Sequence, residues 1–215
     1  MALNKLKIRL VEGWKIRNSV DINFAGWGDQ SDYFYVPKGE FWVEHNLKRE
    51  AKKLLRISEF VKRIPSTTTK NQLRAMIKKA FLKHAEPLIF KPKKDLVPRT
   101  VNGLNTRQIR LVDGEAVRRF YDPWFVLGGH SLVYDYIPKG EIWIDYRSDR
   151  REWPYTIAHE MHEYSLMKKG ELYDNAHDFA LVVEKRIRRA DGVKFWEDAY
   201  SRLTLRQLIK TFYIS

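Results

Sequence analysis

The sequence contains no cysteine, which excludes disulfide bonds and thiolate metal sites from this chain of 215 residues. It also lacks any apolar run of the roughly 18 residues that a membrane-spanning helix needs. Its first residues lack the apolar core of a secretory leader. Hydrophobic residues make up 44% of the chain, enough for a packed core, so wholesale disorder is excluded. We therefore expect a cytoplasmic protein with no membrane association.

Acidic residues are scarce in only one half of the chain. The formal net charge is +13. Residues 1–100 hold 22 Lys and Arg against 10 Asp and Glu, whereas residues 101–215 hold 18 against 17. This asymmetry indicates either an N-terminal half that binds a polyanion or an ordinary solvated basic surface.

An internal repeat organises the chain. With the sequence shifted by 101 residues, 7–13 align with 108–114 and 33–44 align with 134–145 without a gap. The longer alignment pairs identical or similar residues at every position except one, where Phe34 meets Asp135. A register held over such a distance predicts a tandem duplication of a unit about 100 residues long.

Each copy has the same predicted order of elements. A β-rich segment opens the copy, and glycines and a Pro-Lys-Gly turn interrupt it. Two amphipathic helices follow. The β-rich segments are 7–44 and 108–146, the helices are 47–63, 68–83, 154–168 and 174–190, and 194–213 predicts one more docked helix.

The expected fold class is α+β, with two tandem homologous units, each a small β-sheet packed by two helices. The first unit, a degenerate basic copy, is placed at 1–86. A Pro- and Lys-rich linker is placed at 87–104. The second unit, at 105–215, is expected to include the C-terminal helix.

A cluster of metal-binding residue types occurs in the helices of the second copy only. His159 and Glu163 lie 40° apart on one helical face, an i,i+4 pair that can hold one ion, and His177 on the next helix supplies a third ligand. Two imidazoles and one carboxylate match catalytic zinc sites that keep a fourth position for water. The same set suits non-haem iron, so Zn²⁺ is predicted, with Fe²⁺ or another divalent metal as the alternative. The first copy has Ser58, Lys62 and Met76 at these three positions.

The segment from His159 to Glu184 resembles a zincin-type metallohydrolase, with a variant His-Glu-x-x-Glu…His motif. The resemblance implies that Glu160 acts as the general base for a metal-bound water, and that the substrate is a peptide or amide. The segment, together with the Gly-Gly-His and Pro-Lys-Gly-Glu-Ile-Trp-Ile-Asp motifs, is also similar to uncharacterised phage and prokaryotic proteins. That similarity implies no activity.

Three further residues are candidates for the same site. Glu184 returns to the face of His177, where it would support a ligand imidazole or act as an extra ligand. His162 lies 60° from His159 around the helix and is an alternative ligand, a ligand of a second metal, or a solvated residue. His130, which follows two glycines, is a candidate to support a ligand or to act as an alternative ligand; it would line a substrate cleft, and otherwise it is a loop histidine. Alternatively, the whole polar cluster forms solvated helix faces with ion pairs.

The first copy suggests a different function. Its first helix carries Lys48, Arg49, Lys52, Lys53 and Arg56, which could contact the phosphates of a nucleic acid without sequence preference. Aromatic residues in the preceding segment either stack on bases or form the core; they are Trp14, Trp27, Tyr33, Phe34 and Tyr35. The main prediction is a zinc-dependent hydrolase of the peptidase or amidase type. The alternative is a basic nucleic-acid-binding or viral scaffold protein with a structural or vestigial metal site.

Overall fold

The structure is a computed structural model that describes residues 6–82, 99–198 and 205–214. It is a mixed α/β structure with small sheets. The chain divides into two compact units. The first unit comprises the described residues 6–82, 195–198 and 205–214, and the second comprises residues 99–194.

The first unit is built on a three-stranded sheet in which β1 (Lys7–Val11) is parallel and β2 (Trp27–Asp29) antiparallel to the central strand β3 (Glu40–Glu44). The central strand is covered on both faces, which suits its apolar sequence, and its Phe41, Trp42 and Val43 are fully buried. The elements are β1 (Lys7–Val11), α1 (Gly13–Arg17), β2 (Trp27–Asp29), β3 (Glu40–Glu44), a 3₁₀ segment (His45–Glu50), α2 (Ala51–Val61) and α3 (Lys70–Phe81).

The second unit contains a sheet with the same topology, of order β6-β8-β7. One face of the sheet packs on α5 through Ile157, and the other face packs on Val117 of α4 and on Phe125. The elements are β4 (Thr100–Val101), β5 (Leu104–Asn105), β6 (Ile109–Val112), α4 (Gly114–Phe120), β7 (Gly128–His130), β8 (Ile142–Asp145), a 3₁₀ turn (Arg150–Glu152), α5 (Trp153–Lys168) and α6 (Tyr173–Ala190).

A buried ion pair joins the short first helix to the central strand in each unit. Arg17 donates to Glu44 at 2.7 Å, and Arg118 donates to Asp145 at 2.9 Å. Each pair lies beneath the first residue of the helix, which is a glycine. A Cβ at Gly114 would lie 1.9 Å from Asp145 Oδ2, so no larger residue fits without displacing the carboxylate. These contacts recur at the 101-residue shift found in the sequence.

The C-terminal segment belongs to the first unit, which differs from its predicted place in the second. Tyr213 forms a bridge with Val11, and Phe212 packs edge-on against Trp42 at 6.0 Å. The helix α7 (Leu205–Lys210) precedes these contacts. A first-unit core that includes Trp42 is thus completed by residues from the far end of the chain, a non-local pairing that no local pattern encodes.

Other predictions also differ from the structure. The helix predicted over 47–63 is a 3₁₀ segment (His45–Glu50) followed by α2 (Ala51–Val61). Short helices, α1 and α4, interrupt the segments predicted to be β-rich. Part of the predicted linker, Thr100–Asn105, forms a β-hairpin around Asn102 and Gly103, both with positive φ as a tight turn requires. Residues 87–98 of that linker lie outside the described residues. Within the described parts of the chain, no helix is both long and apolar enough to cross a bilayer.

Candidate metal centre

Two consecutive helices of the second unit, α5 and α6, carry the candidate ligands and pack against each other. α5 has Pro154 in its first turn, where a backbone N–H has no partner within the helix and proline, which has none, is therefore tolerated. The helix ends before Gly170, whose φ of +97° favours glycine. The short connection after Gly170 returns the chain so that the first turns of α6 face the middle of α5. His177 is thereby brought to His159 and Glu163.

The three predicted ligands converge on one point. His177 Nδ1 lies 2.8 Å from Glu163 Oε2 and 3.2 Å from His159 Nε2, and His159 Nε2 lies 3.4 Å from Glu163 Oε2. Ligand atoms at about 2.0–2.1 Å from a tetrahedral ion are separated by about 3.3 Å. The three separations therefore match the edges of one face of a small coordination tetrahedron.

The site is buried on one side and open on the other. His159 and Glu163 are buried, whereas the His177 side chain keeps 24% of its surface exposed. The half-exposed ring of Tyr173 stacks on His177 at 5.5 Å between centroids. Solvent therefore reaches the site beside His177.

A buried series of charged side chains contacts His159 at its second ring nitrogen, Nδ1. Glu184 Oε2 lies 3.0 Å from His159 Nδ1, and its other oxygen accepts hydrogen bonds from Arg188 at 2.7 and 2.9 Å. Arg188 also donates to both oxygens of Glu152 at 2.8 and 3.1 Å, and it lies 4.1 Å above the Tyr155 ring. In the neutral ring of His159, a carboxylate beside Nδ1 would accept the ring hydrogen, and Nε2, which lies next to His177 and Glu163, would offer its lone pair to a metal.

His130 contacts Glu163 through the carboxylate oxygen that does not face His177. Its Nε2 lies 2.9 Å from Glu163 Oε1, and its Nδ1 accepts a hydrogen bond from the Leu132 backbone at 3.2 Å. The residue is fully buried at the end of β7, with the Tyr164 ring edge-on at 5.4 Å. It therefore lies inside the unit, next to the site, and is neither a cleft-lining nor an exposed loop residue.

The charges of the site perturb one another. Burial alone would lower the pKa of His159, but hydrogen bonds to Glu163 and Glu184 outweigh it and raise the pKa to about 10. Burial opposes ionisation of Glu163 and Glu184, yet their histidine and arginine partners hold both pKa values below the usual 4.5. The carboxylates that stabilise an extra proton on His159 would also attract a metal cation bound in its place.

The remaining candidates differ in position. Glu160 is half-buried and has an oxygen within 4.8 Å of both His130 and Glu163 ligand atoms. Desolvation, reinforced by the charge of Glu163, raises the pKa of Glu160. His162 is half-buried, and in the part of the chain that the structure describes it belongs to neither group of convergent metal-ligand atoms.

The basic residues of the first unit lie on its surface. Lys48, Arg49, Lys52 and Arg56 are exposed and Lys53 is half-buried. Most aromatic residues proposed for stacking do not share this exposure. Trp27 and Tyr35 are buried, Trp14 and Tyr33 are half-buried, and Phe34 is 72% exposed.

Arg188 and Glu152 were not predicted from the sequence. A signal for Arg188 exists, because it lies four residues after Glu184 and eleven after His177, on one helical face. Glu152 lies 36 residues from Arg188 and offered no comparable signal.

Comparison with known proteins adds no identification. No family model, curated protein or solved structure shows significant similarity to this chain.

Proposed function

We propose that the second unit binds one divalent metal ion, Zn²⁺ in the first instance, through His159, Glu163 and His177, and uses it to hydrolyse a peptide or amide bond. The observation that carries the proposal is the set of three donor-atom separations, 2.8, 3.2 and 3.4 Å. Two imidazoles and a carboxylate leave a fourth position for water, as catalytic zinc sites require.

The charge of the buried groups supports a cation at this point. Three buried carboxylates, those of Glu152, Glu163 and Glu184, are accompanied by one buried guanidinium, that of Arg188. In a metal-bound state, in which the ligand imidazoles are neutral, these four groups carry a net charge of −2. An uncompensated charge in a protein interior is strongly unfavourable, and one divalent ion beside Glu163 would neutralise the set.

The chemistry would follow from what surrounds the ion. A bound Zn²⁺ lowers the pKa of its water towards neutrality and polarises a substrate carbonyl. Glu160, half-buried next to Glu163, is the proposed acceptor of the proton from that water. Its raised pKa is in the direction that suits a general base working near neutral pH.

We further propose that the units arose by tandem duplication, with a zincin-like site kept or gained in the second alone. The recurring sheet order and buried arginine pairs support this origin. In the first unit the positions of His130 and Glu163 are taken by Asp29 and Lys62, which form an ion pair. A lysine in place of the central carboxylate removes the negative charge that a cation needs.

Two pairs of variants test the proposal in the full chain. His177→Ala should abolish binding of Zn²⁺ in titration calorimetry, while His162→Ala, on the same pair of helices, should keep it. Glu160→Gln should retain the ion and lose hydrolysis of a peptide library, while Glu59→Gln, at the equivalent position of the first unit, should retain both. Hydrolysis that survives in Glu160→Gln would remove that residue from the role of base.

A second candidate function rests on the first unit. The exposed cluster of Lys48, Arg49, Lys52 and Arg56 lies on the 3₁₀ segment and α2. We propose that it binds nucleic acid through phosphates. Binding to an oligonucleotide should weaken steeply with salt and with charge reversal of these residues. Affinity that does not change with salt would reject this candidate.

A further inference from the structure

The two oxygens of Glu163 face different partners. Oε2 lies 2.8 Å from His177 Nδ1, at the proposed metal position, while Oε1 lies 2.9 Å from His130 Nε2. A carboxylate with both oxygens free can bind an ion through one oxygen or through both. The interaction of His130 with Oε1 therefore decides whether Glu163 can bind the metal through one oxygen or through both.

The tautomer of His130 follows from its second contact. The Leu132 backbone N–H lies 3.2 Å from His130 Nδ1, and a backbone N–H can only donate. Nδ1 is therefore the acceptor, and the hydrogen of the neutral ring is on Nε2, from which it is donated to Glu163 Oε1.

This tautomer argues against a second ion. Ligand atoms of His130, Glu160 and Glu163 lie within 4.8 Å of one another and could be read as another metal site. A ring nitrogen that carries a hydrogen has no lone pair for a metal. To ligate through Nε2, His130 would have to move its hydrogen to Nδ1, where it would meet the Leu132 N–H.

The His130 ring is also held in place. It is fully buried on β7, and the Tyr164 ring packs edge-on against it with an interplanar angle of 77°. The equivalent positions are also in contact in the first unit, where Asp29 of β2 pairs with Lys62, the residue that follows α2. The fold thus brings these two positions together in both units. In the second unit the contact is a hydrogen bond from the His130 ring to Glu163.

We propose that His130 is a positioning residue that keeps Glu163 bound to the metal through Oε2 alone, so that one coordination position stays open for water or substrate. This inference rests on the proposed metal site. A carboxylate bound through both oxygens would add a donor beside that position, so that with water still bound the coordination number would rise from four to five.

The experiment uses Co²⁺ as a spectroscopic probe in the full chain. The wild-type protein should take up one equivalent and show the intense visible absorption of a four-coordinate ion. His130→Leu removes the donor at similar volume, so it should still bind one equivalent but lose absorption intensity as Glu163 becomes bidentate. His130→Gln, whose amide N–H can occupy the position of Nε2–H, should restore the wild-type spectrum.

Other results would overturn the inference. An unchanged spectrum in His130→Leu would mean that His130 does not control Glu163. Two equivalents of Co²⁺ in the wild type, falling to one in His130→Leu, would make His130 a ligand of a second ion. If circular dichroism shows that His130→Leu does not fold, His130→Asn replaces it, because its amide is too short to reach Glu163, and the same loss of intensity is expected. A wild-type chain that binds no Co²⁺ would remove the metal site itself, a failure distinct from the other two.

Discussion

Replacing Arg188 by Met should both destabilise the second unit and weaken its metal site. Arg188 is fully buried and contacts Glu152 and Glu184, themselves buried. Removing one partner of a buried ion pair costs about 3–5 kcal/mol, because the remaining charge stays desolvated. Here two carboxylates lose their partner, so a cost near the upper end, about 5 kcal/mol, is expected.

The effect on metal binding follows from the position of Glu184. Without Arg188, Glu184 loses the partner that keeps it ionised and directed at His159 Nδ1. Loss of a carboxylate that orients a ligand histidine lowers metal affinity by about 10–100-fold, or about 1.4–2.7 kcal/mol. Arg188→Met should therefore bind Zn²⁺ with reduced affinity.

The matched control is Arg118→Met. Arg118 is also fully buried and paired, with Asp145, but it lies on α4 and not on the helices of the candidate metal centre. Urea unfolding followed by circular dichroism should show that both variants lose several kcal/mol, about 3–5 for a broken buried pair. Calorimetry with Zn²⁺ should show an affinity loss in Arg188→Met only. A loss of stability below about 1 kcal/mol, the range of exposed pairs, would refute the reasoning for Arg188.

Two further predictions concern the second unit. Gly114→Ala should destabilise it by at least about 3 kcal/mol, because the new Cβ displaces Asp145 from its buried ion pair. The control is Gly140→Ala, where a Cβ meets open space at φ +84° and should cost only about 1 kcal/mol. Equal losses of stability for the two variants in urea unfolding would contradict the packing argument. Burial opposes ionisation of Asp113, but hydrogen bonds and charge from Arg147 outweigh it and hold the pKa of Asp113 below its usual 3.8. The stability that this pair contributes is therefore fully present above pH 3.8 and is lost as the pH falls through the lowered pKa. Asp113→Asn should remove that loss, of less than about 1 kcal/mol for so exposed a pair, and an unchanged acid limb of the stability curve would contradict the assignment.

The helical part of the candidate site could be predicted from the sequence because its spacing is local. His159 with Glu163, and His177 with Glu184, are fixed by the helical period, and the structure brings all four side chains into contact. α5 and α6 begin and end within one residue of their predicted bounds, since proline and glycine mark the ends of α5 and Gly192 follows the end of α6.

Contacts between distant segments could not be predicted in the same way. His130 was a candidate only because it follows two glycines, and nothing in the sequence indicated that it meets Glu163, 33 residues later. The Arg188–Glu152 pair spans 36 residues, and the Tyr213–Val11 bridge joins the two ends of the described chain. Such pairings depend on tertiary packing, which periodicity and capping signals do not encode.

X-ray absorption at the zinc edge, on the full chain loaded with one equivalent of Zn²⁺, would show whether His159, Glu163 and His177 hold the ion. We expect a single bound ion with two imidazole nitrogens and one carboxylate oxygen at about 2.0–2.2 Å, and the loss of that signal in His177→Ala. Zinc that stays free in solution, or a first shell of water oxygens without imidazole, would contradict it.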